Sequence, residues 1–583
     1  MISILLSSST TTTLLPSRPI YTSNPPYFST KTTRIRHFNV SCDATNGDQN
    51  QNHNLSPQNV QTSQGKIDRR NVLLGMGGLY SASSLIPDIA PSFATPISPP
   101  DLAKCSRGTN LNTGEPLDIN CCPPIAKYTD YKLPPVTNMR FRPAAHLASK
   151  EYIAKYEKAV QLMKELPDDD PRSFTQQAHV HCAYCNLTYE QKGDPELKLQ
   201  IHNSWHFYPW HRWYLYFYER ILGKLIDDPT FGLPFWNWDN PPGMVMPDMF
   251  AKKDSPLYDP LRNLDHLPPA LADLNYAAKP SDNSKVIQNN LTEMYTEMVR
   301  GVSKLEDFYG AKYVVGSTPD PGPGTIERGS HSSLHVWVGQ ATKSGEDMGN
   351  FYSAGQEPLF FSHHINIDRL WTIWRKLRGS KPKDFNESDW LDSSYVFYDE
   401  NARLVRVKVS DSLDQDKLGY SFQEVDIPWL KNRPKPRVKK SKIATTSSAP
   451  RADSVFPVKL DKVVKVLVER PKKSRSKKNK EEEEELLVIE GIEVDSAKFV
   501  RFDVFVNDED DKPDEIDKAE YVGCYSQVPH KNSTGVKSKI RLGLTELLED
   551  LDVEDDDKIL VSLVPKANGD DITIGGIKII YAS

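Results

Sequence analysis

The stretch H-N-S-W-H-F-Y-P-W-H-R-W-Y-L-Y-F-Y-E runs from His202 to Glu219 and combines three imidazoles with a dense series of aromatic rings. The imidazoles belong to His202, His206 and His211. Neutral imidazole is a good ligand for zinc, copper, iron and nickel, and rings of this size are usually packed in a core. The stretch therefore predicts a metal site inside a helical, aromatic-rich core.

Two histidine clusters extend this pattern along the chain. His331 and His335 are four residues apart, so on a helix both imidazoles face the same way. Each cluster can offer three convergent imidazoles, and we expect four helices joined by long loops to carry them. The histidines of the two clusters are His179, His181, His202, His206 and His211, then His331, His335, His363 and His364.

The donor types restrict the metal. Di-iron sites normally recruit bridging Glu or Asp, and hydrolytic zinc sites usually show a carboxylate ligand or an H-E-x-x-H helix. The histidine clusters show neither pattern. Six neutral imidazoles, three for each ion, suit a pair of copper ions that cycles between two oxidation states and binds dioxygen.

Four segments of the chain resemble one family. His202 to Glu219 resembles the first-copper motif of tyrosinases and plant polyphenol oxidases, and Glu357 to Asp368 resembles their second-copper motif. Asp389-Trp390-Leu391 is similar to the start of their post-catalytic segment, and Arg501-Phe-Asp-Val504 to the K-F-D-V signature of their C-terminal domain. The resemblance runs from about residue 99 to the C-terminus and implies a type 3 copper protein.

The resemblance also implies roles for single residues. Cys185 matches the cysteine that forms a thioether to the second histidine of the first site, here His202. Phe351 matches the ring that lies over the first copper, and Glu327 matches an acid that holds a water near the site. The implied ligands are His181, His202 and His211 for the first copper and His331, His335 and His364 for the second.

Several positions depart from the family pattern. Tyr208, Trp210 and His206 stand where Phe, Phe and Leu are usual, Glu357 stands where Asp is usual, and Ser332 replaces a common Asn. Three further histidines offer alternative ligand choices. They are His179, His206 and His363, the last of which adjoins a ligand and is expected to support it rather than bind metal.

The family chemistry is the oxidation of o-diphenols to o-quinones, with reduction of dioxygen to water. Hydroxylation of a monophenol also requires its deprotonation. The resemblance implies that the water held by Glu327 is the base, helped by an amide side chain after the first histidine of the second site. Ser332 supplies no amide carbonyl. We therefore expect diphenol oxidation to dominate and monophenol hydroxylation to be weak or absent.

Two other functions share the same residues. One is a specialised biosynthetic oxidase or hydroxylase for a single plant phenolic. The other is a dioxygen carrier that binds oxygen without turnover. The export signal and a removable C-terminal domain favour the enzyme over this carrier. The expected partners are dioxygen, small phenols and an activating protease; the oligomeric state stays open.

The cysteines fall into a cluster and two leftovers. Cleavage of the expected presequence would remove Cys42. Of the remaining six cysteines, four form the cluster: Cys105, Cys121, Cys122 and Cys182. An exported chain favours two disulfides over the alternative zinc site, but four cysteines allow three pairings. The family resemblance implies Cys105 with Cys122 and Cys121 with Cys182. Cys185 and Cys524 remain outside the cluster.

The C-terminal flank differs in character from the histidine-rich region. Residues 431–454 carry basic residues, then Ser, Thr and Ala, and are expected to form a cleavable linker after a catalytic domain at 95–430. From Val455 the sequence alternates apolar and polar residues, which predicts a β-sandwich over 455–583. In the family this domain shields the copper site, and Tyr525 is our candidate for the plug.

The N-terminal flank carries targeting features. Residues 1–66 are rich in Ser and Thr and poor in acids, which is typical of an organelle transit peptide, with a disordered tail as the alternative. Arg69-Arg70 and an apolar stretch then form a twin-arginine signal over 67–94. Two addresses in series predict the thylakoid lumen of a chloroplast and a mature chain that begins near Thr95.

The composition argues against two classes of protein, nucleic-acid-binding proteins and membrane-spanning proteins. The 583 residues carry 72 basic and 78 acidic side chains, a net charge of -6, which provides no basic field for nucleic acid. No run of 18 apolar residues predicts a membrane-spanning helix. All ten tryptophans lie between Trp205 and Trp429, and eleven of fourteen histidines between His146 and His364. Both therefore place the chemistry in the middle of the chain.

Overall fold

The computed structural model describes most of the chain from residue 94 onward, and the described residues all belong to one compact unit. The expected transit peptide and nearly all of the twin-arginine signal lie outside this part. Of the helices described, none is long and apolar enough to cross a membrane. The described residues are 94–109, 115–116, 120–276, 282–342, 344–438, 440, 442–509, 515–531 and 535–582.

Helices dominate up to residue 377, and most of the longer ones begin where the sequence supplies a capping residue. Ser149 and Ser173 each accept a hydrogen bond from a backbone N–H in the first turn of their helix. The longer helices of the chain are α1 (Lys150–Lys164), α2 (Phe174–Cys185), α3 (Phe207–Leu225), α4 (Asn283–Tyr295), α5 (Leu305–Tyr309), α6 (Ser332–Val338), α7 (Pro358–Leu377), α8 (Lys477–Glu482) and α9 (Thr545–Leu551).

Helices α3 and α7 form the centre of the helical part. Helix α3 is buried on nearly every side, because its aromatic residues leave no polar face for solvent. Buried ion pairs fix it in place: Arg142 contacts Glu219 at 2.8 Å and Asp368 at 2.8 Å, and Arg212 contacts Asp368 at 2.6 Å. Asp368 lies on α7, so these pairs hold the two helices in one relative position.

Short strands complete the helical part. β6 pairs with β1 in parallel and with β5 antiparallel, β2 pairs with β7 in parallel, and β3 with β4 antiparallel. The strands are β1 (Thr129–Asp130), β2 (Arg140–Arg142), β3 (Glu190–Gln191), β4 (Asp194–Lys198), β5 (Ser394–Tyr398), β6 (Leu404–Lys408) and β7 (Tyr420–Phe422).

The C-terminal part contains two sheets. One has the order β13-β10-β15-β8 with β16 also on β10, and the other has the order β12-β11-β14-β9. Their apolar residues form one core cluster. The strands are β8 (Val458–Lys459), β9 (Val464–Glu469), β10 (Glu484–Val494), β11 (Val500–Val506), β12 (Tyr521–Gln527), β13 (Ser538–Gly543), β14 (Lys558–Ala567), β15 (Ile572–Ile574) and β16 (Gly576–Ala582). The predicted fold class, a helical catalytic part followed by a β-rich domain, is confirmed.

The segment between these parts follows the surface of the β-rich domain. Arg433 pairs with Asp550, and the carbonyl of Lys435 accepts a hydrogen bond from the backbone of Ala519 at 3.0 Å. Most of the described side chains from 431 to 454 are exposed or half-buried, with Ala444 among the few that are buried. The described linker residues are thus accessible along a surface path.

Candidate metal centre

The first histidine cluster is assembled from helix α2, the loop after it and the first turns of α3. His181, His202 and His211 are all buried. The Nδ1 atom of His181 donates to the carbonyl of Phe351 at 2.9 Å, and that of His211 to the carbonyl of Phe207 at 2.8 Å. With Nδ1 protonated, a neutral ring presents the lone pair of Nε2. Neither Nε2 atom has a protein partner among the described residues.

The second cluster is assembled from α6, the π-helical turn before it and the start of α7. His331 ends the turn Glu327–His331, and its Nδ1 lies 3.3 Å from the carbonyl of Glu327. His335 donates from Nδ1 to the carbonyl of Met348 at 2.7 Å. Its Nε2 points at the Nε2 of His364, 3.2 Å away. The backbone thus fixes the tautomers and directs the ligand nitrogens inward.

The two clusters face each other. The rings of His211 and His364 stack at 4.3 Å between centroids with an interplanar angle of 8°, and those of His202 and His331 lie 5.8 Å apart. Within each cluster the ligand nitrogens lie within 4.8 Å of one another. This arrangement suits two metal ions side by side, each with three imidazoles.

Burial controls the protonation of these imidazoles. It lowers the pKa of His181 to about 3 and that of His335 to about 4, and it lowers the pKa of the other four well below the ordinary value. Metal binding requires neutral imidazole, so no proton competes with the ion near neutral pH. Both groups consist of buried imidazoles with no carboxylate or thiolate among them, and such a donor set fits copper.

The three alternative histidines have different surroundings. His206 bonds to Tyr395 and Tyr313 and lies outside both clusters. His179 is half-buried on α2 and is also outside them. His363, by contrast, lies within the second cluster, and neither of its nitrogens has a hydrogen-bond partner among the described residues. The structure therefore offers a fourth imidazole beside the expected three.

Three other predicted residues surround the clusters. The ring of Phe351 stacks on His202 at 4.0 Å and 25°. One oxygen of Glu327 accepts from the backbone N–H of Asn203 at 2.7 Å, while the other has no partner among the described residues. Burial raises the pKa of Glu327 well above its ordinary range, and bound copper cations would act in the opposite direction. Ser332 donates its hydroxyl to the carbonyl of Glu327 at 2.6 Å.

Comparison with known proteins identifies the family. The common central domain of tyrosinase matches residues 171–377, the polyphenol oxidase middle domain 384–435, and the chloroplastic polyphenol oxidase C-terminal domain 456–581. The chloroplastic polyphenol oxidase of Malus domestica is 51% identical over 564 residues, which cover 93% of this chain and 92% of that protein. The chain belongs to the plant polyphenol oxidase family.

Two further matches carry names that differ in the activity they describe. The chloroplastic (+)-larreatricin hydroxylase of Larrea tridentata is 47% identical over 574 residues, covering 95% of this chain and 96% of that protein. The structure of latent apple tyrosinase superposes with a TM-score of 0.74 and 52% identity, covering 78% of this chain and all of that one. The protein is therefore a copper-dependent oxidoreductase with a type 3 dicopper centre, and the predicted family and cofactor are confirmed.

One disulfide closes a loop within the N-terminal arm of this polyphenol oxidase, and a second attaches the arm to the helical part. Cys105 is bonded to Cys122, with Cα atoms 5.7 Å apart, and Cys121 to Cys182, with Cα atoms 5.4 Å apart. Cys182 lies on α2 one residue after His181, so the second disulfide anchors the helix that carries this histidine. Cys185 is buried, with a free thiol, at the end of the same helix.

The structure corrects the expected plug. The ring of Tyr525 faces the core of the β-rich domain, where it lies 5.6 Å from Phe502 and donates its hydroxyl to Gln527 at 2.8 Å. Side chains alternate along a strand, so its neighbours on β12 face the helical part instead. Ser526 donates to the carbonyl of Arg328 at 2.7 Å. Tyr525 therefore does not cover the histidines.

The segment after β12 contacts the centre where Tyr525 does not. Val528 packs into the core of the helical part, and the carbonyl of Pro529 accepts from the backbone N–H of Phe351 at 3.0 Å. The ring of His530 stacks on Phe351 at 5.1 Å and 23°. Sequence reasoning missed these three residues, because His530 stands far from the other histidines and Val528 and Pro529 carry no chemical signal.

Proposed function

We propose that the enzyme oxidises o-diphenols to o-quinones, with dioxygen reduced to water. The observation that carries this is the pair of facing imidazole clusters, whose converging nitrogens have no partner among the described residues except for the contact between His335 and His364. A bound copper pair supplies the reversible two-electron exchange with dioxygen that the reaction requires. The ligands we assign are His181, His202 and His211 for one ion and His331, His335 and His364 for the other.

The residues beside the second cluster support a preference for diphenols. A catechol already carries both oxygens, whereas a monophenol must lose a proton before oxygen is added. Ser332 has no amide oxygen, and its hydroxyl is engaged with the carbonyl of Glu327. We assign Glu327 the role of holding a water through its unpaired oxygen. Hydroxylation of monophenols is therefore expected to be weak or absent.

The C-terminal domain is proposed to keep the enzyme latent. Pro529 and His530 contact the backbone and ring of Phe351, which itself lies on His202. Substrate that approaches the first copper along Phe351 meets this segment first. Cleavage within 431–454, which separates the catalytic domain (95–430) from the shielding domain (455–583), would remove the obstruction.

Two further assignments complete the proposal. A thioether between Cys185 and His202 would fix one imidazole covalently, and a buried free thiol at the end of α2 supports it. Relatives carry names that place them in chloroplasts. The transit peptide and the twin-arginine signal extend this to a thylakoid-lumen location for the present enzyme.

Oxygen uptake by the purified, copper-loaded chain tests the function. We expect turnover of 4-methylcatechol that rises after limited proteolysis, and little or no uptake with tyramine. Sustained tyramine hydroxylation without a lag would instead favour a hydroxylase, the activity for which the Larrea relative is named. Reversible oxygen binding without turnover in the cleaved enzyme would identify an oxygen carrier.

A further inference from the structure

Tyr395 and His206 form a buried hydrogen-bonded pair outside both copper clusters. The hydroxyl of Tyr395 lies 2.6 Å from Nδ1 of His206, and both side chains are fully buried. On the other side of the imidazole, Nε2 lies 2.9 Å from the carbonyl of Tyr313. The indole N–H of Trp205 lies 2.8 Å from the same carbonyl and 3.0 Å from Nε2 of His206.

These contacts select one tautomer of the imidazole. A bare Nε2 could accept from Trp205 but would face the lone pairs of the Tyr313 carbonyl at 2.9 Å, which only accepts. Nε2 of His206 therefore carries the proton and donates to that carbonyl, whose second lone pair accepts from Trp205. Nδ1 is then bare and accepts the hydroxyl proton of Tyr395. The other tautomer would leave the Tyr395 hydroxyl without an acceptor among these contacts. Tyr395 therefore donates to a ring nitrogen.

Both members of the pair are neutral at rest. Burial lowers the pKa of His206 to about 3, so the imidazole is unprotonated near neutral pH. Burial also raises the pKa of Tyr395 well above its ordinary value. A phenol bonded to a neutral base loses an electron more readily than an isolated phenol, because its proton can move to the base as the electron leaves.

A line of oxidisable rings connects this pair to the first copper cluster. Tyr395 lies 6.5 Å from Tyr184 between ring centroids, and Tyr184 lies 5.4 Å from Trp210. Trp210 lies 4.8 Å from His211, a proposed copper ligand. All of these rings are buried. Trp210 and His206 are two of the positions at which the first-copper motif departs from the family pattern.

We propose that Tyr395, with His206 as its proton acceptor, is a redox-active tyrosine that returns electrons to the oxidised copper centre when no phenol is bound. One electron passes from Tyr395 through Tyr184 and Trp210 to the centre, which dioxygen has oxidised, and the hydroxyl proton moves to Nδ1 of His206. The products are a neutral tyrosyl radical, a protonated imidazole and a centre reduced by one electron. A small reductant such as ascorbate restores the tyrosine, and the proton returns from His206.

The proposal rests on the copper assignment above and gives the pair a protective role. An oxidised centre without substrate would otherwise take electrons from its own ligands or from Trp210. A donor with a built-in proton acceptor offers a less damaging source. Neither Tyr395 nor His206 contacts substrate in this scheme, so both act on the lifetime of the enzyme rather than on catechol turnover itself.

The test uses copper-loaded, proteolytically activated enzyme that is reduced, exposed to dioxygen without phenol and frozen within milliseconds. We expect an organic radical signal by electron paramagnetic resonance that narrows when the protein contains ring-deuterated tyrosine. Tyr395→Phe should abolish the signal, and His206→Leu should weaken it at least severalfold. The matched control is Tyr189→Phe, because the Tyr189 ring also contacts Tyr184, at 5.3 Å, but its buried hydroxyl has no partner among the described residues.

Copper content and initial catechol rate are measured for every variant, and both should equal the parent values in Tyr395→Phe. That variant should lose activity at least severalfold faster during repeated oxygen exposure without phenol. A fully copper-loaded, active parent without a tyrosyl signal would overturn the proposal, as would an equal signal in Tyr395→Phe. A parent that binds no copper or consumes no oxygen would instead refute the proposed function.

Discussion

At the scale of single residues, backbone carbonyls determine which ring nitrogen is left free in four of the six assigned ligands, namely His181, His211, His331 and His335. His335 shows this well, because its Nδ1 is engaged by Met348 and its Nε2 points at His364. His363 has no such partner on either nitrogen, and its ring stacks on His331 at 5.5 Å and 25°. A free nitrogen is thus necessary for a ligand but does not identify one.

Copper counting separates the two adjacent histidines. His364→Ala should reduce the metal content from two ions to one per chain, because the second ion loses one of three ligands. His363→Asn should retain two ions and serves as the neighbouring control. The measurement is copper per chain by mass spectrometry after gel filtration. Loss of an ion in His363→Asn would show that this imidazole belongs to the second site.

Ser332 tests the preference for diphenols. Ser332→Asn introduces an amide oxygen beside the second cluster, and general base catalysis contributes large factors to proton removal, so the ratio of tyramine to 4-methylcatechol rates should rise about tenfold. Ser332→Ala, which breaks the bond to the carbonyl of Glu327 without adding an amide, should leave the ratio unchanged. Equal tyramine-to-4-methylcatechol ratios in the parent and both variants would show that Ser332 does not determine the preference for diphenols.

At the scale of elements, helix positions were predictable from the sequence, and strand orientation was not. His331 and His335 share one helix face because the period of a helix is fixed by its own geometry. Tyr525 failed as the plug because its side chain follows the register of β12, where Tyr525 lies opposite Phe502 and Cys524 opposite Asp503. A shift of one residue exchanges the two faces of a strand, and sequence alone does not set that register.

The N-terminus of helix α7 is capped by a buried acid, Glu357. Glu357 accepts from the backbone of Leu359 at 2.8 Å and pairs with Arg262, which is also buried. Glu357→Gln leaves that guanidinium without its charge partner, which should cost about 3–5 kcal/mol in the free energy of unfolding. Denaturant titration measures this, and the exposed Glu387→Gln, for which a change within about 0.5 kcal/mol is expected, is the control.

Glu357 lies near two further buried acids, Asp259 and Asp347, whose pKa values fall in the neutral range. Burial, followed by the charge of Glu357, raises the pKa of Asp259 to about 8 and that of Asp347 to about 7. An acid whose pKa is higher in the folded chain than in the unfolded chain stabilises the fold while it is protonated. This contribution is complete below the unfolded pKa of about 4 and is lost as the pH rises to about 8.

Asp259→Asn removes one of these ionisations. The variant should therefore gain stability relative to the parent as the pH rises from 5 to 8, by about 3–4 kcal/mol across that interval. Unfolding curves at three pH values measure the difference. A stability difference that stays constant with pH would show that Asp259 titrates alike in the folded and unfolded chain.

At the scale of the whole molecule, the β-rich domain is joined to the helical part by buried polar contacts that the sequence could not reveal. Arg501 donates to Ser333 at 2.7 Å and lies 3.4 Å from Glu293, while Tyr521 donates to the other oxygen of Glu293 at 2.6 Å. These partners are more than 160 positions apart in the chain. The family motif predicted a shielding domain, and only the folded chain shows which side chains hold it in place.

Arg501→Met tests whether these contacts maintain latency. The change leaves Glu293 and Asp503 buried without their shared cation, which should weaken docking by about 3–5 kcal/mol. We expect the uncleaved variant to oxidise 4-methylcatechol severalfold faster than the uncleaved parent, with equal rates after proteolysis. Arg470→Met is the control, since Arg470 pairs with Glu485 inside the β-rich domain. If both variants melt above the assay temperature and both stay latent, the contacts of Arg501 do not control access, and the segment from Val528 to His530 must hold its position on Phe351 without them.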